Sequence, residues 1–224
     1  MKQNAAKEAL ELVRDGMVLG LGSGTTVNIF LDLLYDKIMR EEIEVYFIPT
    51  SMDVETKLLR YGLKIVSLNE YPEPSIAIDG ADIVTKKLEL IKGGGGALTR
   101  EKIVDYSAEE YYIIVDETKI RESLFESKVP IETLPFCWVK VSNILIKEFK
   151  AKNELRYCHK GKLGPVVTDN GNFIIDAYFE DSYDPIMLER EIKNIPGVLE
   201  NGIFAVKKPK RIIVGKENST TILQ

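Results

Sequence analysis

The sequence predicts an α/β protein: a parallel sheet covered by helices on both faces, with a smaller α+β segment inserted in the second half. Three observations carry this expectation. Short apolar runs alternate with amphipathic stretches through the first half of the chain. Glycine-rich turns follow several of those runs. Around Pro130 and Pro135 the rhythm changes, and a hairpin signal appears further on. Short strands separated by helices fit a doubly covered parallel sheet.

Taken in order, Ala5, Ala6, Ala9, Leu10 and Val13 fall at helical spacing, with Gly16 as a stop. Residues 17–20 form a short apolar strand. Val27, Ile29, Phe30, Leu33 and Leu34 make the apolar side of a second helix. Residues 45–48 read as a strand ended by Pro49, and Ser51 as the cap of a helix carrying Val54, Leu58 and Leu59. That helix stops at Gly62. Segments 64–68 and 75–78 are further strands, 99–106 a helix and 111–115 a buried strand. Beyond Pro130, residues 138–141 read as a strand and 144–152 as a helix. Asp169-Asn170-Gly171, between apolar pairs, predicts a hairpin turn. Residues 185–195 are a helix ended by Pro196-Gly197, and 203–206 and 212–214 are late strands. The expected division is 1–129 plus 206–224 for the parallel-sheet domain and 130–205 for the α+β domain.

Composition narrows the function classes. The 224 residues include 45% apolar and 29% charged side chains, with a formal net charge of -5. No dense Lys/Arg block suits a duplex, and Lys207, Lys208, Lys210 and Arg211 read as a solvated turn, so no nucleic-acid partner is expected. No apolar run approaches the ~18 residues that span a bilayer, and the first residues lead into a polar amphipathic stretch. A cytoplasmic protein with no membrane partner is the expectation. Cys137 and Cys158 are far apart, and the single histidine, His159, has no neighbour at ligand spacing, so neither a disulfide framework nor a metal site is expected.

Three motifs carry chemistry. Gly20-Leu21-Gly22-Ser23-Gly24-Thr25-Thr26 lies between a strand and a helix. Its glycines let backbone approach an anion, the helix start offers N–H groups, and Ser23, Thr25 and Thr26 add hydroxyls. That suits a phosphate; a tight turn whose threonines cap the helix is the alternative. A dinucleotide fingerprint would want a third glycine at Thr25 and an acid near Thr50, and a P-loop would want Gly-Lys-Ser/Thr; none is present. The second motif, Asp79-Gly80-Ala81-Asp82, directly follows a strand, where open sheets bind ligands. Two carboxylates there can transfer protons and hold sugar hydroxyls, or simply form an Asp-Gly turn. The third is Lys92-Gly93-Gly94-Gly95-Gly96-Ala97-Leu98-Thr99-Arg100-Glu101-Lys102. Four consecutive glycines are entropically costly and make sense where backbone wraps a ligand. Lys92 and Glu101 frame the loop with a cation and a carboxylate. A flexible loop before a charged helix is the plainer alternative.

These motifs, in this order, resemble the A-type ribose-5-phosphate isomerase family. Thr50-Ser51-Met52-Asp53, Val167-Thr168-Asp169-Asn170-Gly171-Asn172 and Ile195-Pro196-Gly197-Val198 are also similar to family segments, so the resemblance spans nearly the whole chain. It implies a Rossmann-like parallel-sheet domain with a smaller ferredoxin-like α+β domain. It implies an aldose–ketose isomerase of the non-oxidative pentose phosphate pathway that needs no cofactor, acts on a phosphosugar and assembles as a homodimer or homotetramer. Glu101 matches the general-base position. Asp79, Gly80, Ala81, Asp82, Lys92, Gly93, Gly94 and Gly95 match sugar-binding positions, with Asp79, Asp82 and Lys92 also implied in catalysis. Ser23, Gly24, Thr25 and Thr26 match the first ligand loop, and Lys119 a further ligand-contacting lysine. Gly96 stands where alanine is frequent in the family. Lys2 is not assigned to the site, because its flanking residues match poorly. An aminosugar-phosphate deaminase-isomerase would usually employ a histidine, and His159 lies outside every motif. A sugar-phosphate sensor would need a DNA-binding module for which the chain has no spare length.

Overall fold

The computed structural model describes residues 1–158, 161, 163–180 and 182–224; His159 lies outside the described residues. The chain forms two units. The first takes Met1–Ala81, Arg100–Ile120 and Pro209–Gln224, and the second takes Asp82–Thr99 and Arg121–Lys208. The expected α+β segment, 130–205, falls within the second unit, which also includes 82–99, 121–129 and 206–208.

The first unit is built on a seven-stranded sheet. Its spatial order is Thr220–Leu223, Arg211–Gly215, Glu110–Asp116, Ile76–Asp79, Met17–Leu21, Val45–Pro49 and Lys64–Ile65. Neighbours run parallel throughout, except that the edge strand Thr220–Leu223 is antiparallel. The central strands are almost wholly buried, as continuous apolar runs covered on both faces must be. Helices Lys2–Ala9, Thr25–Glu41 and Met52–Arg60 pack on it, burying Ala5, Phe30, Leu34, Val54 and Leu58 with Leu19, Leu21 and Phe47. Ser51 caps the third of these helices as expected, its Oγ accepting from Val54 N at 3.3 Å.

Strand order reverses within this sheet. From Met17–Leu21 the chain steps outward to Val45–Pro49 and Lys64–Ile65, then returns to Ile76–Asp79 on the other side. The carboxyl ends of Met17–Leu21 and Ile76–Asp79 therefore flank a topological switch point, where open α/β sheets bind ligands.

The second unit has a four-stranded antiparallel sheet, ordered Val198–Asn201, Val129–Thr133, Phe173–Tyr178 and Lys152–Leu155. With helices Trp138–Phe149 and Pro185–Lys193, the chain order is β-α-β-β-α-β, the ferredoxin-like arrangement that the family resemblance implied. A small antiparallel sheet, Ile203–Phe204, Leu90–Ile91 and Ile83–Val84, completes this unit. Ile131, Ile175 and Ala177 face the helix residues Val141, Leu145 and Leu188 in one apolar core.

One expectation is corrected. Residues 138–141 are the first turn of a helix, Trp138–Phe149, and not a strand. Val141, Leu145 and Phe149 are buried at four-residue spacing, so the apolar period is helical. Read four residues at a time, a strand and a helix start look alike. The hairpin at Asp169-Asn170-Gly171 forms: Gly171 has φ +80° and its N–H donates to Thr168 O at 2.9 Å. No helix among the described residues is long and apolar enough to cross a membrane.

Candidate active site

In the first unit, the motif at the end of Met17–Leu21 is locked to the motif at the end of Ile76–Asp79. Asp79 is fully buried, and its Oδ1 accepts from Ser23 N at 3.0 Å and from Gly80 N at 2.6 Å. Gly22 makes this possible, since a Cβ there would sit 1.8 Å from Asp79 Cγ. Gly24, the residue before helix Thr25–Glu41, has φ +102°, a conformation that side chains other than glycine rarely adopt. The loop therefore ends on a helix start whose N–H groups and dipole favour an anion.

Glu101 lies in the first turn of helix Leu98–Ser107 and is only 4% exposed. Its Oε1 accepts from Ser23 Oγ at 2.6 Å. Thus Ser23 contributes backbone to Asp79 and hydroxyl to Glu101. On the next strand over, Asp116 ends Glu110–Asp116 and its Oδ1 accepts from Thr118 N at 3.0 Å, shaping the turn Glu117–Lys119. Lys2 Nζ donates to Thr25 Oγ1 at 2.7 Å and lies 4.0 Å from Asp116 Oδ2. The structure thereby brings Lys2, left unassigned by its sequence context, to the first loop.

In the second unit, the glycine loop lies on the sheet face away from the helices. A Cβ on Gly93 would stand 2.8 Å from Leu98 Cβ and 3.3 Å from Pro130 Cβ, and one on Gly96 would stand 3.2 Å from Ile174 Cδ1. Gly93 and Gly96 also have φ of +100° and +89°. Glycines here answer two demands at once, close approach and left-handed backbone. Asp82 is exposed and its Oδ2 accepts from Gly94 N at 2.7 Å. Lys92 is buried, with Nζ 5.6 Å from the centre of the Phe204 ring. The two carboxylates of Asp79-Gly80-Ala81-Asp82 are therefore unlike: one is buried at a strand end, the other open to water.

Two buried carboxylates on the same sheet face escaped the sequence reading. Glu132 is fully buried; its Oε1 accepts from Thr168 Oγ1 at 2.8 Å, Asn172 Nδ2 at 2.9 Å and Asn170 Nδ2 at 3.1 Å. Its Oε2 accepts from Thr99 Oγ1 at 2.5 Å. The segment Thr168-Asp169-Asn170-Gly171-Asn172 is thus a donor set as well as a turn. Asp176 pairs with Arg156 and with Lys128 Nζ at 2.6 Å. Burial pushes the Asp176 carboxyl up, but the hydrogen bonds and charges of Arg156 and Lys128 outweigh it and hold it below the usual carboxylate range.

The family model for ribose 5-phosphate isomerase A (phosphoriboisomerase A) matches residues 46–219. The chain belongs to the ribose 5-phosphate isomerase A family. A ribose 5-phosphate isomerase A from Archaeoglobus fulgidus is 51% identical over 226 residues, covering 99% of this chain and 98% of the relative. The solved ribose 5-phosphate isomerase A of Methanocaldococcus jannaschii superposes with a TM-score of 0.94 at 44% identity, covering 100% of this chain and 97% of that one. A D-ribose-5-phosphate isomerase solved in complex with phospho-erythronic acid gives a TM-score of 0.95, also at 44% identity, covering 100% of this chain and 97% of that one. Membership of the ribose 5-phosphate isomerase A family makes this chain an aldose–ketose isomerase.

Proposed function

We propose that the chain interconverts D-ribose 5-phosphate and D-ribulose 5-phosphate through an enediolate, with Glu101 as the general base. The observation that carries this reading is the buried Glu101 carboxylate held by Ser23 Oγ at 2.6 Å, beside the switch point of the parallel sheet. A base must be fixed to be effective, and general-base catalysis is typically worth about 10²–10⁴-fold.

Starting from the aldose, Glu101 takes the proton from the second carbon. The bonding pair becomes the double bond between the first two carbons, and the first carbon's oxygen gains negative charge. Lys92 and the Gly95 amide of the glycine loop stabilise that charge, while the Gly94 amide holds Asp82; such donors are worth about 10²–10³ in kcat each. A proton passes between the two oxygens, and Glu101 returns its own to the first carbon. Asp79 and Asp82, with Gly80 and Ala81 between them, hold the sugar hydroxyls and carry their protons. Gly24, Thr25, Thr26 and Lys119 bind the phosphate, with Ser23 of the same loop committed to Asp79 and Glu101 and Lys2 supporting Thr25, and this remote binding orients the reacting end. Phospho-erythronic acid, present in the solved relative, offers a carboxylate in place of the reacting carbons and is the natural probe of this site. We place the activity in the cytoplasm, in the non-oxidative pentose phosphate pathway, as a homodimer or homotetramer without a cofactor.

Turnover in deuterated water tests the proton-transfer step. Solvent deuterium should appear on the carbon that receives the proton, and activity should survive exhaustive chelation with EDTA. Loss of activity on chelation, restored by a divalent cation, would overturn the mechanism.

A further inference from the structure

Arg156 follows strand Lys152–Leu155, in a stretch that carries none of the sequence motifs. In the fold it is a planar clamp. Nε donates to Asp176 Oδ2 at 2.9 Å, and Nη2 donates to Asp176 Oδ1. Nη1 forks onto two successive carbonyls of the glycine loop, Gly93 O at 2.9 Å and Gly94 O at 3.1 Å. The arrangement is anchored from below: the Asp176 side chain is 2% exposed, and Lys128 Nζ donates to its Oδ2 at 2.6 Å. Gly93 O also accepts from Gly96 N at 3.0 Å, which closes the turn.

Peptide planarity turns this clamp into a statement about the amides. In a trans peptide the C=O and the following N–H point in opposite directions. Holding the Gly93 and Gly94 carbonyls toward Arg156 therefore aims the Gly94 and Gly95 N–H groups away from it. The Gly94 N–H obeys this, reaching Asp82 Oδ2 at 2.7 Å. By the same geometry the Gly95 N–H points away from Arg156, on an exposed part of the loop where even a Cβ on Gly95 would meet nothing within 4 Å. Gly94 and Gly95 have no side chains to hold this orientation, and glycine backbone is the most easily reoriented.

We propose that Arg156 is a positioning residue that sets the peptide orientation of the glycine loop, so that the Gly95 N–H meets an anionic oxygen of the bound sugar next to Asp82. This rests on the reading of the glycine loop as sugar-binding. Arginine is required because a lysine ammonium cannot pair in plane with Asp176 and fork onto two carbonyls at once. Asp176 acts one step further back, by holding the guanidinium.

The test compares wild type, Arg156→Lys, Asp176→Asn and the double variant in kcat, KM, Tm and affinity for phospho-erythronic acid. Misplacing a stabilising group by about 1 Å costs on the order of 10²-fold. Arg156→Lys should lower kcat by about that factor with KM within several-fold, and weaken phospho-erythronic acid binding about tenfold. Asp176→Asn should move kcat and binding the same way by less, and the double variant should be no worse than Arg156→Lys, because both act through one contact. A purely structural role would lower Tm while kcat per folded molecule and probe affinity stayed at wild-type values, and that result overturns the proposal. If Arg156→Lys does not fold, a folded Asp176→Asn with wild-type kcat and affinity overturns it equally. Absence of turnover in the wild type would instead sink the isomerase reading.

Discussion

Replacing Glu101 by glutamine is the most direct perturbation of the proposed chemistry, because it removes the proton acceptor and little else. The amide has nearly the same shape as the carboxylate, and its oxygen can still accept from Ser23 Oγ, now 2.6 Å from Oε1. Two losses to stability remain. A charge-assisted hydrogen bond becomes a neutral one, at a cost of about 1 kcal/mol. A negative charge also leaves the first turn of helix Leu98–Ser107, where it favourably meets the helix dipole, at a further ~0.3–1 kcal/mol. Together these predict a folded protein with Tm a few degrees lower. The chemical effect is larger: loss of a general base is worth about 10²–10⁴-fold, or about 3 to 5 kcal/mol of barrier at 1.36 kcal/mol per tenfold. Because the proposed phosphate contacts of Thr25, Thr26 and Lys119 are untouched, KM for ribose 5-phosphate should stay within several-fold. Initial-rate assays of ketose formation and a thermal melt on the same sample measure both. A folded variant with kcat within tenfold of wild type would refute Glu101 as the base. If the variant were both inactive and far less stable, the cause would lie in packing.

If Lys119 binds the phosphate as proposed, Lys119→Ala should raise KM for ribose 5-phosphate much more than it lowers kcat, because a remote charge contact is lost, and steady-state kinetics decide it. Gly22→Ala should destabilise the first unit by at least about 2 kcal/mol, on the order of 4–8 °C in Tm, because the new Cβ would sit 1.8 Å from Asp79 Cγ and displace a buried acceptor. Calorimetry measures this, and an unchanged Tm contradicts the geometry. Tyr112 is pushed up to about 12, first by burial and then by its hydrogen bond to Glu110 Oε2 at 2.6 Å. A raised folded-state value means full stability below the ordinary tyrosine value of 10.0, lost as pH rises toward 12. Tyr112→Phe should flatten that part of the alkaline stability curve in denaturant titrations.

Some features were legible along the chain because their causes are local. Gly24, Gly93 and Gly171 adopt positive φ, which glycine tolerates without cost, so each marks its turn in any context. Ser51 caps the helix that follows it by accepting from an N–H three residues ahead, and the buried run of Glu110–Asp116 needs no distant partner to read as a central strand. Local patterns failed where they were short or polar. The pairs Ile83–Val84 and Leu90–Ile91 are two residues long, and Lys152–Leu155 alternates exposed with half-buried positions and lacks apolar strength. Residues 138–141 offered too few positions to separate a period of two from 3.6.

The sequence alone therefore determined the α/β class, the glycine loops, and which hydroxyls, carboxylates and cations could do chemistry, since these follow from backbone geometry and side-chain type. It could not say which groups meet. Ser23 reaches Glu101 across 78 residues, and Arg156 reaches Gly93 across 63. Lys2, Asp116, Glu132, Arg156 and Asp176 have nothing unusual in their neighbouring residues, and their roles exist only in contacts made by folding. Asp79 and Asp82 were interchangeable in the motif; tertiary structure buried one beneath the first loop and left the other in water. The reason is physical: a turn is specified by dihedral preferences within a few residues, whereas a hydrogen bond between distant segments depends on strand order and packing, which the whole chain sets together.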